Sequence, residues 1–117
     1  MPAFKDLDEF WPYYVAQHLN ATTRRLHFAG TSLGLGCLAA GLTFQDRRFL
    51  PAGLVCAYGL AWIGHFFFEK NSPATFRHPI LSFRADFRMY ALMWGGRMDA
   101  EIDALKDRLA VYRKAAV

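Results

Sequence analysis

The sequence predicts an all-α fold, a small membrane-embedded helical bundle built from an antiparallel two-helix hairpin and flanking amphipathic helices. Two uncharged apolar runs follow each other with only the polar stretch QDRR between them. The segments on either side repeat apolar residues at steps of three and four, which is the period of one helix face. A chain of 117 residues is the size of one domain, so we predict a single helical domain over residues 1–117.

The first amphipathic helix is predicted over residues 4–19. Apolar side chains recur along it at steps of three and four, and His18 falls on the same stripe. Pro12 indicates either a kink or the true start of the helix. The polar stretch NATTRR follows, in which Thr22 or Thr23 could cap the next helix.

The hairpin is predicted from apolar spans over residues 26–44 and 49–68. Each is about 20 residues long and roughly 30 Å as a helix, which is enough to cross a hydrocarbon core. The short linker makes them antiparallel neighbours. Two buried core helices of a soluble protein are the alternative, but small chains rarely bury two such helices on all sides. Gly30 and Gly34 have GxxxG spacing, which allows close helix packing within the hairpin or in a homo-oligomer.

Two further amphipathic helices are predicted over residues 80–94 and 97–114, with Gly95 and Gly96 between them. Each carries apolar residues on one face and charged residues elsewhere. These helices could lie on the membrane surface or cap the open end of the hairpin.

The composition favours a membrane protein over a nucleic-acid-binding protein. Hydrophobic residues make up 54% of the chain, which is more than a soluble domain of this size needs. The net charge of +4 is mild and no basic run appears, so the expected partner is a lipid bilayer and no nucleic acid. The first residues lack the apolar core of a signal peptide. Cys37 and Cys56 lie within apolar runs and are interpreted as buried free thiols.

The positive charges predict an orientation. Arg47 and Arg48 lie at the hairpin tip, whereas a larger group of cations lies at the open end. The positive-inside rule then predicts an integral membrane protein with both termini in the cytoplasm. The open-end group consists of Lys5, Arg24, Arg25, Lys70, Arg77, Arg84 and Arg88.

Three histidines are expected to converge at the open end. His27 lies 20 residues before residue 47 at the tip, and His65 lies 18 residues after it, so an antiparallel pair places both at nearly the same height. His18 precedes His27 by nine residues on the neighbouring helix. Each histidine alone could be a packing or interfacial residue. Ionisable groups at a membrane edge are costly unless they are paired or functional, so together the three favour a metal site.

Glu69 follows His65 by four residues and shares its helix face if the helix continues. It could be a fourth ligand, the acceptor that fixes a ligand's tautomer, or the partner of Lys70 in an ion pair. Asn20 could support the site or merely form a turn. A site rich in imidazole suits iron, zinc, copper or nickel.

Two motifs resemble a known family. HLNATTRRLHFAG contains H-x-N with a second histidine nine residues after the first, and WIGHFFFEKNSPA contains G-H-x-x-F-E-K-x-x-P-A. Together they are similar to the 2-hydroxy fatty acid dioxygenases, membrane proteins named after the yeast enzyme of phytosphingosine breakdown, over about residues 10–90.

The resemblance implies an iron(II)-dependent enzyme, with Fe(2+) as cofactor, that performs α-oxidation. A 2-hydroxy fatty acid would react with O2, lose its carboxyl carbon and leave a chain one carbon shorter. The family's histidines correspond to His18, His27 and His65 as metal ligands, and its glutamate corresponds to Glu69 as the catalytic residue. The substrate's hydroxyl and one carboxylate oxygen could chelate the metal, which leaves one position for O2.

Other residues are weaker candidates near this site. Arg25, Lys70 or Arg77 could pair with the free oxygen of the substrate carboxylate or face lipid headgroups. His78 precedes a proline in the following loop and lies near the site by sequence.

Three alternative functions remain open at this point. The histidines could bind a haem or a metal ion in a non-catalytic membrane hairpin. They could also pack in a structural membrane protein. A zinc-dependent lipid hydrolase is the last alternative, in which Glu69 would serve as the general base.

Overall fold

The computed structural model describes the backbone of residues 4–116 and the side chains of residues 4–112. Every regular element in this part of the chain is helical, which confirms the predicted all-α fold. The outermost positions of the predicted 1–117 domain, residues 1–3 and 117, lie outside it. The chain forms two compact units, one made of Asn20–Lys70 and one made of Met1–Leu19 with Asn71–Val117.

Helix α2 opens the Asn20–Lys70 unit and spans Ala21–Phe44. It begins earlier than the predicted 26–44 because Asn20 caps it, with a side-chain oxygen that accepts the N–H of Thr22 at 2.8 Å. The predicted caps Thr22 and Thr23 are therefore already helical. The helix ends at Gln45, which has a left-handed backbone conformation with φ 53°.

Helix α3 spans Phe49–Ile63 and continues directly as a π-helical turn over Gly64–Glu69. The π-helical turn ends at Lys70, which is left-handed with φ 60° and donates its N–H to the carbonyl of His65. At the tip before α3, Arg48 forms a 2.7 Å ion pair with Asp46. The second apolar segment thus follows its predicted bounds closely, although its last turn is not an α-helix.

Small residues bring α2 and α3 into backbone contact. A Cβ on Gly30 would lie 2.8 Å from the carbonyl oxygen of Ala57, which is closer than real Cβ atoms come. A Cβ on Gly34 would lie 3.3 Å from the carbonyl oxygen of Gly53. The later glycine of α2 contacts the earlier residue of α3, which is the pattern of antiparallel neighbours. The GxxxG face is therefore used within this helix pair.

Two segments are long and apolar enough to cross a membrane by length and composition, Ala21–Phe44 and Phe49–Glu69. Only 11% and 22% of their apolar windows are buried within the protein. A core helix of a soluble protein would bury most of such a window, whereas most of each window here is exposed. The large apolar side chains exposed along these segments include Leu33, Leu38, Leu42, Leu50, Leu54, Val55 and Phe67.

The other unit begins with α1, Leu7–Ala16, which is shorter than the predicted 4–19 and runs through Pro12 without ending there. A 3₁₀ turn at Ala74–Phe76 precedes α4, Pro79–Trp94. The helix predicted over 97–114 is instead two helices, α5 over Met98–Ala104 and α6 over Lys106–Ala116. The core of this unit consists of Phe10, Trp11, Tyr14, Val15, Ala16, Ala74, Ala85, Met89, Met98, Leu105 and Leu109.

Candidate metal centre

His27 is held in one orientation by its own helix. It lies on α2, only 6% exposed, and its Nδ1 is 2.9 Å from the carbonyl oxygen of Thr23, one turn earlier. A carbonyl oxygen can only accept a hydrogen bond, so the neutral ring carries its proton on Nδ1. The lone pair is then on Nε2, which is the atom that a metal-binding histidine uses when Nδ1 is donated to a carbonyl.

His65 lies in the π-helical turn and is 2% exposed. Its ring stands edge-on to the ring of His27, with centroids 5.0 Å apart and planes at 83°. Gly64 makes this approach possible, because a Cβ there would lie 3.1 Å from the Cα of Thr23. The hydroxyl of Thr23 donates to the Gly64 carbonyl at 3.3 Å and ties the two segments together. Single π-helical turns occur frequently at functional sites.

His18 repeats the hydrogen bond of His27 just after another helix. It follows the end of α1 and is 1% exposed, and its Nδ1 lies 2.6 Å from the carbonyl oxygen of Tyr14. The Tyr14 ring stacks on the imidazole, with centroids 4.0 Å apart and planes at 22°. The same reasoning therefore places the proton on Nδ1 and the lone pair on Nε2.

One ring nitrogen from each of His18, His27 and His65 lies within 4.8 Å of the others, so these three buried residues could hold a metal ion. The donor set fits such an ion chemically. Two of the three imidazoles donate Nδ1–H to a backbone carbonyl, as metal-ligating histidines commonly do. The sequence-based expectation that His27 and His65 share one level agrees with their ring contact.

Glu69 does not belong to this group. Its carboxylate accepts the backbone N–H of Asn20 at 2.7 Å, and the Asn20 amide donates to the carbonyl of Phe68 at 3.4 Å. Glu69 is the last residue of the π-helical turn that also carries His65. Glu69 and Asn20 thus join the end of one apolar segment to the start of the other.

The weaker candidates differ in their burial. Arg25, Lys70 and Arg77 are exposed. His78 is partly buried, and its ring lies within 5.3–6.1 Å of the rings of Phe4, Phe10 and Tyr13. A different cation, Arg24, is buried on α2 one turn before His27. From the sequence, Arg24 was expected only as one of the cations at the open end of the hairpin.

Comparison with known proteins supplies the family. A family model described as 2-hydroxy-palmitic acid dioxygenase Mpo1-like matches residues 4–98. The chain belongs to this Mpo1-like family. No curated protein and no solved structure matches it. The matched region of the Mpo1-like chain includes all three histidines and Glu69, and it ends at the start of α5.

A buried pair supports His18 in this Mpo1-like protein and was missed from the sequence. The Tyr14 hydroxyl donates a short hydrogen bond to the carboxylate of Asp86 on α4. Burial raises the pKa of Asp86 to about 7, while the Tyr14 hydrogen bond lowers it. Burial, followed by the Asp86 charge, raises the pKa of Tyr14 well above 10. In the sequence, Asp86 is visible only as one carboxylate in a predicted amphipathic helix.

Stacked rings continue outward from Tyr14 within the same unit. Trp11 stacks on Tyr14 with centroids 5.6 Å apart, and its Nε1 donates to Glu101 at 2.8 Å. The guanidinium of Arg88 lies 5.2 Å from the Trp11 ring centroid and also bonds Asp8. The position of the Tyr14 ring against His18 is therefore fixed by helix packing, by the hydrogen bond from Tyr14 to Asp86, and by Trp11, which Glu101 holds in place.

Proposed function

We propose that this Mpo1-like protein is an integral membrane dioxygenase that oxidises 2-hydroxy fatty acids at an iron(II) ion held by His18, His27 and His65. The observation that carries the proposal is the cluster of three buried histidines in a chain of this family. Three imidazoles leave coordination positions for a substrate. Iron, when bound, would supply a site where a 2-hydroxy carboxylate and O2 are held together.

The protein's own residues orient the reactants in this proposal. Tyr14 and Thr23 provide the carbonyls that accept Nδ1–H from His18 and His27 and so leave each Nε2 free to bind a metal ion. Arg24 is better suited than the exposed Arg25 to pair with the substrate carboxylate, because it is buried one turn from His27. Lys70 and Arg77, both exposed, suit lipid headgroups.

The roles of Glu69, Asn20 and His78 stay predictions. The hydrogen bond from the Asn20 N–H supports a positioning role for Glu69, which would hold the π-helical turn and hence His65 in place. His78 lies in an aromatic environment formed by Phe4, Phe10 and Tyr13, which supports a packing role.

Metal content tests the proposal directly. The protein would be purified anaerobically in detergent, supplied with iron(II), desalted and analysed for bound metals. We expect near-stoichiometric iron in the wild type and in His78→Gln, a matched histidine outside the cluster, and loss of most iron in His65→Gln. Oxygen uptake with a 2-hydroxy fatty acid should follow the bound iron, whereas the unhydroxylated acid should give none.

Two results would contradict the proposal. Equal iron in His65→Gln and His78→Gln would show that His65 is not a ligand. Stoichiometric zinc with no oxygen uptake would favour a hydrolase in place of a dioxygenase.

A further inference from the structure

Helix α4 has two different long faces. Its inner face is buried against the core of its own unit and includes Ser82, Ala85 and Met89. Its outer face carries large apolar side chains that remain open, of which Ile80 is 73% exposed and Trp94 is 67% exposed.

The open side chains form one continuous stripe along the helix. They recur at steps of three and four, which keeps them on a single line along a helix surface. The helix has 16 residues, so the stripe is about 24 Å long. We call this the α4 stripe; it consists of Ile80, Phe83, Phe87, Ala91 and Trp94.

One edge of the α4 stripe is cationic. Arg84 is exposed on one side of it, and Arg88 lies further round on that side, bound to Asp8. Arg77 is exposed just before the helix begins. Long cationic side chains beside an exposed apolar strip suit anionic lipid headgroups, because their stems cover apolar surface while their charges reach the headgroups.

The chain also keeps α4 within reach of a membrane. The second apolar segment ends at Glu69 and α4 begins at Pro79. A connection of about ten residues spans at most about 35 Å, even if fully extended. If the segment Phe49–Glu69 crosses a bilayer, the start of α4 lies within about 35 Å of the point where that segment emerges, so the helix can reach the surface.

We infer that α4 is an interfacial helix that lies in the plane of the membrane, with the α4 stripe at the boundary of headgroups and acyl chains and with Arg77 and Arg84 among anionic headgroups. A lipid surface explains the apolar stripe, its cationic edge and its tether together, whereas a protein partner would explain the stripe alone. The inference rests on the membrane segments and not on the metal, so it can fail while the proposed dioxygenase stands.

Spin labelling in vesicles tests the inference. Nitroxide labels would be attached to Ile80→Cys and Phe87→Cys in a Cys37→Ala, Cys56→Ala background, and to Asp103→Cys as an exposed control on α5. Circular dichroism would check that helix content is retained. Power saturation would compare the access of oxygen, which concentrates in lipid, with that of a water-soluble nickel chelate.

We expect the ratio of oxygen to nickel-chelate access to be several-fold higher at Ile80 and Phe87 than at Asp103. Stripe labels as accessible to the nickel chelate as the Asp103 label would overturn the inference. Immobilised stripe labels with poor access to both reagents would also overturn it, because protein would then cover the stripe.

The cationic edge has a separate test. Adding phosphatidylserine to phosphatidylcholine vesicles should lower nickel-chelate access at Ile80, and Arg84→Gln should weaken this effect more than Arg108→Gln, an exposed control on α6. Access that is unchanged by phosphatidylserine in the parent protein would rule out the headgroup role of these arginines.

Discussion

At the scale of single residues, the candidate centre is prepared before any ion binds. His18 and His27 each donate Nδ1–H to the carbonyl one helical turn earlier, at 2.6 Å and 2.9 Å. This hydrogen bond selects one tautomer and restricts rotation of the ring. The backbone supplies both acceptors, so side-chain substitutions at Tyr14 or Thr23 change ring packing but leave the carbonyls in place.

Asp86 gives the first prediction at this scale, a dependence of stability on pH. Its pKa is about 7 in the folded protein and 3.8 in its unperturbed state, with burial as the main cause. The folded protein therefore binds this proton more tightly than the unfolded chain does. The stabilisation that comes from protonated Asp86 is fully present below about pH 4, falls as the pH rises and is lost above about pH 7. One pKa unit corresponds to about 1.4 kcal/mol, so the loss amounts to a few kcal/mol.

Asp86→Asn should remove most of this dependence, since an amide does not ionise. We expect its free energy of unfolding in micelles, measured between pH 4 and pH 8, to vary less than that of the wild type. The exposed Asp103→Asn serves as the control and should follow the wild type. Parallel pH profiles for Asp86→Asn and wild type would show that Asp86 titrates as an ordinary carboxylate.

The convergence of the histidines could be predicted from the sequence, but the Tyr14–Asp86 pair that supports His18 could not. Regular helical rise is enough to place His27 and His65 at one level, because both positions are counted from the same tip. The Tyr14–Asp86 hydrogen bond joins residues 72 positions apart, and only the packing of α1 against α4 brings them together. Nothing in the local pattern around Asp86 distinguishes it from a solvated carboxylate.

At the scale of helices, the close approach of α2 and α3 depends on the absence of side chains. Gly30→Ala would place a Cβ 2.8 Å from a backbone oxygen, so the helices must move apart. We expect a loss of about 1–3 kcal/mol in unfolding free energy, typical of overpacking. Gly36→Ala is the matched control because a Cβ there meets nothing within 4 Å.

Reversible unfolding by titration with sodium dodecyl sulfate, followed by circular dichroism, would compare the two variants. Gly36→Ala should be neutral or slightly stabilising, since alanine favours a helix by up to about 1 kcal/mol over glycine. Equal stabilities for Gly30→Ala and Gly36→Ala would mean that α2 and α3 are far enough apart at Gly30 to accept a methyl group.

Two helical features could not be predicted from apolar periodicity. The π-helical turn Gly64–Glu69 packs against Thr23 across the helix pair, whereas the apolar run itself continues unchanged. The break at Leu105 between α5 and α6 interrupts a stripe whose spacing is regular. In both cases the sequence repeat persists while tertiary packing changes the backbone.

At the scale of the whole molecule, the charges predict a membrane orientation with both ends of the chain in the cytoplasm. Single cysteines in a Cys37→Ala, Cys56→Ala background would report it. Gln45→Cys, at the tip, should react with a membrane-impermeant maleimide on intact cells, whereas Asp103→Cys should react only after the cells are permeabilised. The reverse pattern would show the opposite orientation, and labelling of both sites would indicate mixed orientations.

The two units are completed at different times during synthesis. Asn20–Lys70 is one uninterrupted stretch, whereas the other unit combines Met1–Leu19 with Asn71–Val117. A ribosome therefore finishes the segment that carries His27 and His65 before it makes Asp86. Tyr14 is translated early, but its hydrogen-bond partner Asp86 is made only with α4. The Tyr14–Asp86 pair that supports His18 therefore forms after the segment with His27 and His65 has been made. An oxygen-dependent centre with these ligands would become competent only after the apolar segments had been made and could already have entered the bilayer.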